Sequence, residues 1–179
     1  MRIIAGRLGG RQFDSPKSFK THPMSDKARG ALFNVLGDID GLTVLDAFAG
    51  SGALSFEAVS RGAASAVAID SDRAAQKVVA NNIHTLGLRG RVKLIAASAN
   101  AWLQTSNPAE LFDIVLCDPP YDDLQTNLLQ RLEKRVRPGG ILVLSWPGNA
   151  DPIVFEGLQL LESKNYGDMT LAFYRSPAA

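Results

Sequence analysis

Apolar positions are unevenly spread along this 179-residue chain. From residue 43 onward they gather into short runs at 43–46, 64–69, 91–96, 112–117 and 141–145, which read as strands buried on both faces of a parallel sheet. Between the runs lie stretches with helical spacing of apolar residues, at 53–61, 71–86, 99–104 and 123–136. Strict alternation of this kind predicts a doubly wound α/β sheet. Gly87 should stop the second of these helices, and Pro138-Gly139-Gly140 should introduce the strand at 141–145. The tail departs from the alternation: 158–164 and 169–175 read as two strands joined by Asn165-Tyr166-Gly167-Asp168. The expected sheet is therefore seven-stranded and mostly parallel, with an antiparallel strand at the C-terminus.

Upstream of residue 43 the pattern is different. Ile3, Ile4, Leu8 and Phe13 surround Gly6 and the pair Gly9-Gly10, which predicts a small β-hairpin. Residues 14–24 are polar and hold Pro16 and Pro23, so a loop is expected. Ser25 can cap a helix to about residue 36 with Ala28, Ala31, Leu32 and Val35 on its buried side. No repeat, low-complexity tract or linker divides the chain. Residues 1–179 are read as one domain, with 1–24 as an extension of it.

Two loops at strand ends carry the chemistry. Open α/β sheets bind ligands beyond the carboxyl ends of their strands, and Asp118-Pro119-Pro120-Tyr121 directly follows the run 112–117. Its prolines fix φ and remove two donors, leaving the Asp118 carboxylate and backbone carbonyls as an acceptor-only cradle for an NH2 group. Tyr121 adds a flat face on which a planar base can stack. Taken alone, the tripeptide is equally well read as a plain turn.

The other loop is Gly50-Ser51-Gly52, between the run ending at Asp46 and a helix. Glycines there admit a ligand to the backbone, and a helix N-terminus presents unpaired N–H groups. Asp70, about twenty residues on, has the spacing of a carboxylate that holds ribose hydroxyls. The third glycine of the dinucleotide fingerprint is absent. Asp46 would repel a pyrophosphate but suits the ammonium of a methionyl group, which favours S-adenosyl-L-methionine over a dinucleotide. Asp46 could instead cap the glycine turn. The expected cofactor pocket comprises Asp46, Phe48, Gly50, Ser51, Gly52, Asp70, Ser71, Ser98, Ala99 and Asp118.

Charge and composition narrow the classes further. Nineteen basic residues nearly balance eighteen acidic ones, but residues 1–29 carry seven basic against two acidic side chains. Such segregation predicts contact with a polyanion through Arg2, Arg7, Arg11, Lys20 and Arg29; a solvated basic face is the alternative. One cysteine, Cys117, and two histidines leave no basis for a disulfide or a zinc site. Cys117 ends an apolar run and reads as an inert buried thiol. No segment has the length of a membrane span or the apolar core of a signal peptide, so a cytoplasmic location is expected, and a monomer is favoured.

Four blocks in order, Met1-Arg2-Ile3-Ile4-Ala5-Gly6-Arg7, residues 23–34 (PMSDKARGALFN), Phe48-Ala49-Gly50-Ser51-Gly52-Ala53-Leu54 and Asp118-Pro119-Pro120-Tyr121, give the chain a resemblance to the bacterial small-subunit (16S) ribosomal RNA guanine-N2 methyltransferases of the RsmD type. The resemblance extends to Tyr166-Gly167-Asp168-Met169-Thr170. It implies a Rossmann-like class I methyltransferase fold and S-adenosyl-L-methionine as cofactor. The implied substrate is small-subunit ribosomal RNA, either naked or in a partly assembled subunit. Asp118 and Pro119 would then hold the guanine amine and Tyr121 would stack on the base, with no metal needed.

The chain departs from the family pattern at several positions. His22-Pro23-Met24 and Arg29-Gly30 replace Arg-Pro-Thr and Arg-Glu, Asp70 stands for Glu, and Ser98 stands where relatives carry Asp or Asn. Ser98 can bond the adenine or merely cap a helix. The released proton can pass to Asp118 or to water. Rival readings are an N-methyltransferase acting on DNA or a protein glutamine, and a catalytically silent RNA-binding assembly factor.

Overall fold

The computed structural model describes residues 1–17 and 23–179; His22 and Lys20 lie outside the described residues. Seven strands form one sheet in the order β3-β2-β1-β4-β5-β7-β6. They are β1 (Thr43–Asp46), β2 (Ser65–Asp70), β3 (Val92–Ala96), β4 (Phe112–Cys117), β5 (Val136–Pro147), β6 (Gln159–Tyr166) and β7 (Met169–Arg175). The first five pair in parallel, and β7 inserts antiparallel between β5 and β6. β1 lies between β2 and β4, so the chain winds one way from β1 to β3 and the other way from β4 onward. Such a reversal opens a crevice at the carboxyl ends of β1 and β4.

Period-two alternation assigns neighbouring strand residues to opposite layers. Val44, Ile114, Leu116 and Val143 pack with α1 (Asp26–Leu36), α2 (Ala53–Ser60) and α3 (Arg73–Thr85). Leu45, Val115, Cys117, Leu142 and Leu144 face α4 (Ala99–Thr105) and α5 (Thr126–Leu132) on the other side. Three helices begin on side-chain caps: the hydroxyls of Ser25 and Ser98 accept from Ala28 and Ala101 N–H groups at 3.1 Å, and Asp72 accepts from Ala75 N–H at 3.2 Å. No described helix is long and apolar enough to cross a membrane.

Three elements differ from the expectation. The buried face of α1 is Ala28, Arg29, Leu32 and Phe33, a rotation that brings the Arg29 guanidinium inward. α5 starts only at Thr126, because the chain first turns at Asp123, whose N–H donates to the Pro120 carbonyl, and passes through Gln125 at φ 43°. It then ends in a 3₁₀ turn over Glu133–Arg135. Pro138-Gly139-Gly140 lies inside β5 rather than ahead of it, at an irregularity in the β4–β5 register. Gly140 sits where a Cβ would come within 2.7 Å of the Asp113 carbonyl, so only glycine lets the strands approach.

The N-terminal hairpin is a single antiparallel bridge between Arg2 and Gln12 rather than two full strands. It packs tightly against α2. Ile3 and Phe13 are buried, Phe13 meets Phe56 edge-on at 5.3 Å, and every residue of α2 is buried.

Candidate active site

β1 delivers Asp46 to the crevice fully buried, its register opposite Leu116 of β4. Its Oδ2 accepts from the Ser55 hydroxyl at 2.8 Å, while Oδ1 has no hydrogen-bond partner among the described residues. Burial pushes this carboxyl up to about 7, aided by the charges of Asp118 and Asp70. A buried carboxyl with one oxygen unbonded among the described residues can still take a bond from an arriving donor. The cap reading of Asp46 finds support only in Ser55, which belongs to α2 rather than to the glycine turn.

The turn that follows is held by Asp70. The Gly50 N–H donates to Asp70 Oδ2 at 2.7 Å, and Oδ1 accepts from Asp72 N–H at 2.8 Å, with the Ser71 backbone bonding the same carboxyl. Burial raises the Asp70 carboxyl. Gly52 takes a left-handed φ of 83°, and a Cβ there would strike the Phe56 ring at 2.6 Å, so the close turn requires glycine. No side chain caps α2 at Gly52, and in its first turn the Ser55 N–H bonds toward the Asp46 carboxyl. Phe48 is half-buried beside the turn and Ser51 is buried within it; Ser71 is exposed past β2. Ser98 is exposed and caps α4, and Ala99 is buried behind it.

Asp118 emerges from β4 at a narrow recess, too tight to hold a base, walled by Met24, Leu32, Leu54 and Leu171. Burial pushes its carboxyl up to about 6, with Ser145 acting in the opposite direction. The Pro120 carbonyl is taken by Asp123, but those of Asp118 and Pro119 receive no backbone donor among the described residues. Tyr121 is 38% exposed, and its hydroxyl lies 2.5 Å from the Ser145 Oγ. Burial raises the Tyr121 phenol to about 12, so it stays protonated at neutral pH. Burial also raises the Cys117 thiol far above neutrality, which keeps it inert. The diproline corner and the glycine turn thus open at adjacent strand ends, close enough for Asp118 to perturb Asp46.

The basic residues divide. Arg2, Arg7 and Arg11 are exposed, although Arg2 pairs with Asp26 at 3.0 Å and Arg11 donates to the Thr85 carbonyl. Arg29 requires correction as a polyanion contact. It is 1% exposed and is spent on Asp26 at 3.0 Å, Glu57 at 3.7 Å and the Arg2 carbonyl at 2.7 Å. The charge pattern alone missed Glu57, the buried acid that draws Arg29 in. Of the substituted positions, Met24 lines the Asp118 recess, and Gly30 has room for a side chain, since a Cβ would meet only Ile4 Cδ1 at 3.8 Å.

The family described as Conserved hypothetical protein 95 matches residues 1–175. The chain belongs to this family, the RsmD family. It is 28% identical to Ribosomal RNA small subunit methyltransferase D of Haemophilus influenzae over 98% of this chain and 94% of that protein. Against the Escherichia coli protein of the same name identity is 40%, over 68% of this chain and 60% of its relative. The solved structure of yhhF from Escherichia coli superposes with a TM-score of 0.88 at 32% identity, covering 100% of this chain and 99% of that one. The fold is accordingly that of the Rossmann-like methyltransferases, and the cofactor is S-adenosyl-L-methionine. The chemistry at the crevice is compatible with it: Asp46 has an unbonded oxygen among the described residues, and the turn at Gly52 leaves no room for a side chain.

Proposed function

We propose that this protein transfers a methyl group from S-adenosyl-L-methionine to the exocyclic N2 amine of a guanine in small-subunit ribosomal RNA. The supporting observation is the Asp118–Pro119 cradle, which offers only acceptors and lies one strand away from the buried Asp46. Family membership favours ribosomal RNA over DNA or a protein glutamine, and the retained acids argue against a silent assembly factor.

A guanine amine is a poor nucleophile because its lone pair is delocalised into the ring. Asp118 and the Pro119 carbonyl accept its two N–H bonds and favour the tetrahedral nitrogen, and those bonds strengthen as positive charge grows there. When bound, the cofactor supplies an electrophilic methyl carbon on sulfur. The chain's contribution is alignment, together with an acceptor in Asp118 that is a carboxylate at neutral pH and takes the released proton. Tyr121 stacks on the base, which must leave its helix to reach the cradle. Exposed Arg2, Arg7 and Arg11 hold backbone phosphates of the folded RNA. The protein works as a single chain in the cytoplasm, on naked RNA or a partly assembled subunit.

The test is labelled methyl transfer to ribosomal RNA and to small subunits from cells lacking the protein, followed by digestion to nucleosides. N2-methylguanosine at one position is expected. Label in N6-methyladenosine, DNA or protein would overturn the assignment.

A further inference from the structure

Near the carboxyl end of β5, Ser145 lies beside both Tyr121 and Asp118. The β4–β5 register runs out at Cys117 opposite Leu144, so the next residues along, Asp118 and Ser145, lie across from one another. Ser145 is 2% exposed, lines the same recess as Asp118, and stands 2.5 Å from the Tyr121 hydroxyl. Serine is seldom this buried unless its hydroxyl is bonded. Among the described residues, Tyr121 is the one aromatic ring among the exposed large hydrophobics, and without an anchor its ring would sample several rotamers.

We propose that Ser145 is the positioning residue of the acceptor site: its hydroxyl ties the Tyr121 ring to the wall that carries Asp118, so the stacking face and the amine cradle meet the base as one rigid unit. This rests on the assignment of an amine-bearing base to the cradle. Without the hydroxyl the ring swings and the base enters at the wrong tilt. The same hydroxyl holds the Asp118 carboxyl below the level that burial alone would set. The titratable groups facing Asp118 among the described residues are Asp46 from β1, Cys117 before it and Tyr121 after it. None of them is cationic, which leaves the serine as the group that opposes burial.

Ser145→Ala and Tyr121→Phe should each lower kcat/KM for RNA about tenfold, the scale of one buried hydrogen bond. The double variant should be little worse than either single one, and Ser145→Thr should restore most of the loss. The acid limb of the Ser145→Ala pH profile should move upward. Carbon-13 carboxyl titration of the protein without cofactor or RNA should show the Asp118 midpoint rising in step. Additive single-variant effects, or a profile and titration both unmoved in a folded Ser145→Ala protein, would overturn the proposal. A shifted Asp118 titration in a protein that methylates no RNA would support the Ser145 tie and overturn the assigned function instead.

Discussion

Asp113 and Asp118 stand at the two ends of β4. At Asp113, Oδ2 accepts from the Thr43 N–H and hydroxyl at 2.9 Å each, and Oδ1 accepts from Arg137 at 2.8 Å. Burial pushes that carboxyl up, yet the Thr43 and Arg137 bonds outweigh it and hold the group below its usual range. At Asp118 burial wins and the carboxyl is raised to about 6. The same residue type on the same strand is thus saturated at one end and left wanting at the other. Where several donors meet a carboxylate, as at Asp113, the bonds outweigh burial; where Ser145 alone opposes burial, as at Asp118, bonding capacity is left over.

Removing each carboxylate should separate these roles. Asp118→Ala is expected to reduce methyl transfer by about 10³-fold while leaving cofactor affinity within about threefold, by the scale of lost transition-state hydrogen bonds. Asp113→Ala should leave turnover nearly unchanged and cost about 1–3 kcal/mol of stability in denaturant titration. Equal losses of activity in both would erase the contrast.

Asp46 extends the contrast to cofactor binding. Asp46→Asn should weaken cofactor affinity about 10²-fold in calorimetry, as expected for losing a buried charge-assisted bond. Its folded carboxyl, at about 7, lies above the ordinary 3.8. The folded state therefore binds the extra proton, and stability falls as pH rises through that window. The neutral variant should escape this fall and gain on the order of 2–4 kcal/mol near neutral pH without cofactor, read from melting at several pH values. A flat melting profile in the parent protein would contradict the raised carboxyl.

Tyr121→Ala should lower kcat/KM by about 10- to 100-fold through lost stacking. The parent's kcat/KM should drop on acidification through about pH 6, as the Asp118 carboxylate is protonated; an acid limb near the ordinary carboxylate range would remove Asp118 from it. The smallest effect belongs to the N-terminal cations: Arg7→Glu with Arg11→Glu should weaken RNA binding several-fold and flatten its salt dependence by about one unit per lost phosphate contact.

Much of this arrangement could be read from the chain because it depends on local pattern. Apolar runs placed β4, and the residues after it, Asp118 to Tyr121, had to lie at its carboxyl end. The glycine turn followed from β1 by the same logic. Burial of charge was harder to read. Arg29 sits in a basic stretch, which points to a polyanion contact, but its partner Glu57 is far along the chain. The readable sign was a lone acid in the otherwise apolar and small α2 segment ALSFEAVS, which requires a cation wherever the helix is covered. Ser145 carries a similarly weak sequence signal. A small polar residue closing an apolar strand looks unremarkable until the register sets it opposite Asp118. The start of α5 at Thr126 is invisible in composition, since Gln125 at positive φ leaves no hint in the sequence.

The Glu57 carboxylate also grips the N-terminal segment, accepting from Ile4 N–H at 2.8 Å and Ala5 N–H at 3.0 Å while Arg61 pairs with it at 2.8 Å. Leu8 N–H is fastened to the Ser60 hydroxyl and Arg7 N–H to the Ser60 carbonyl, at the far end of α2 from the glycine turn. An eight-residue helix is about 12 Å long. The exposed arginines therefore ride on a clamp rather than a tether, and whatever they hold is kept at a set offset from the cradle. On the proposed function this fixes a spacing: a partner whose anionic surface and reactive amine are spaced otherwise would not engage both at once.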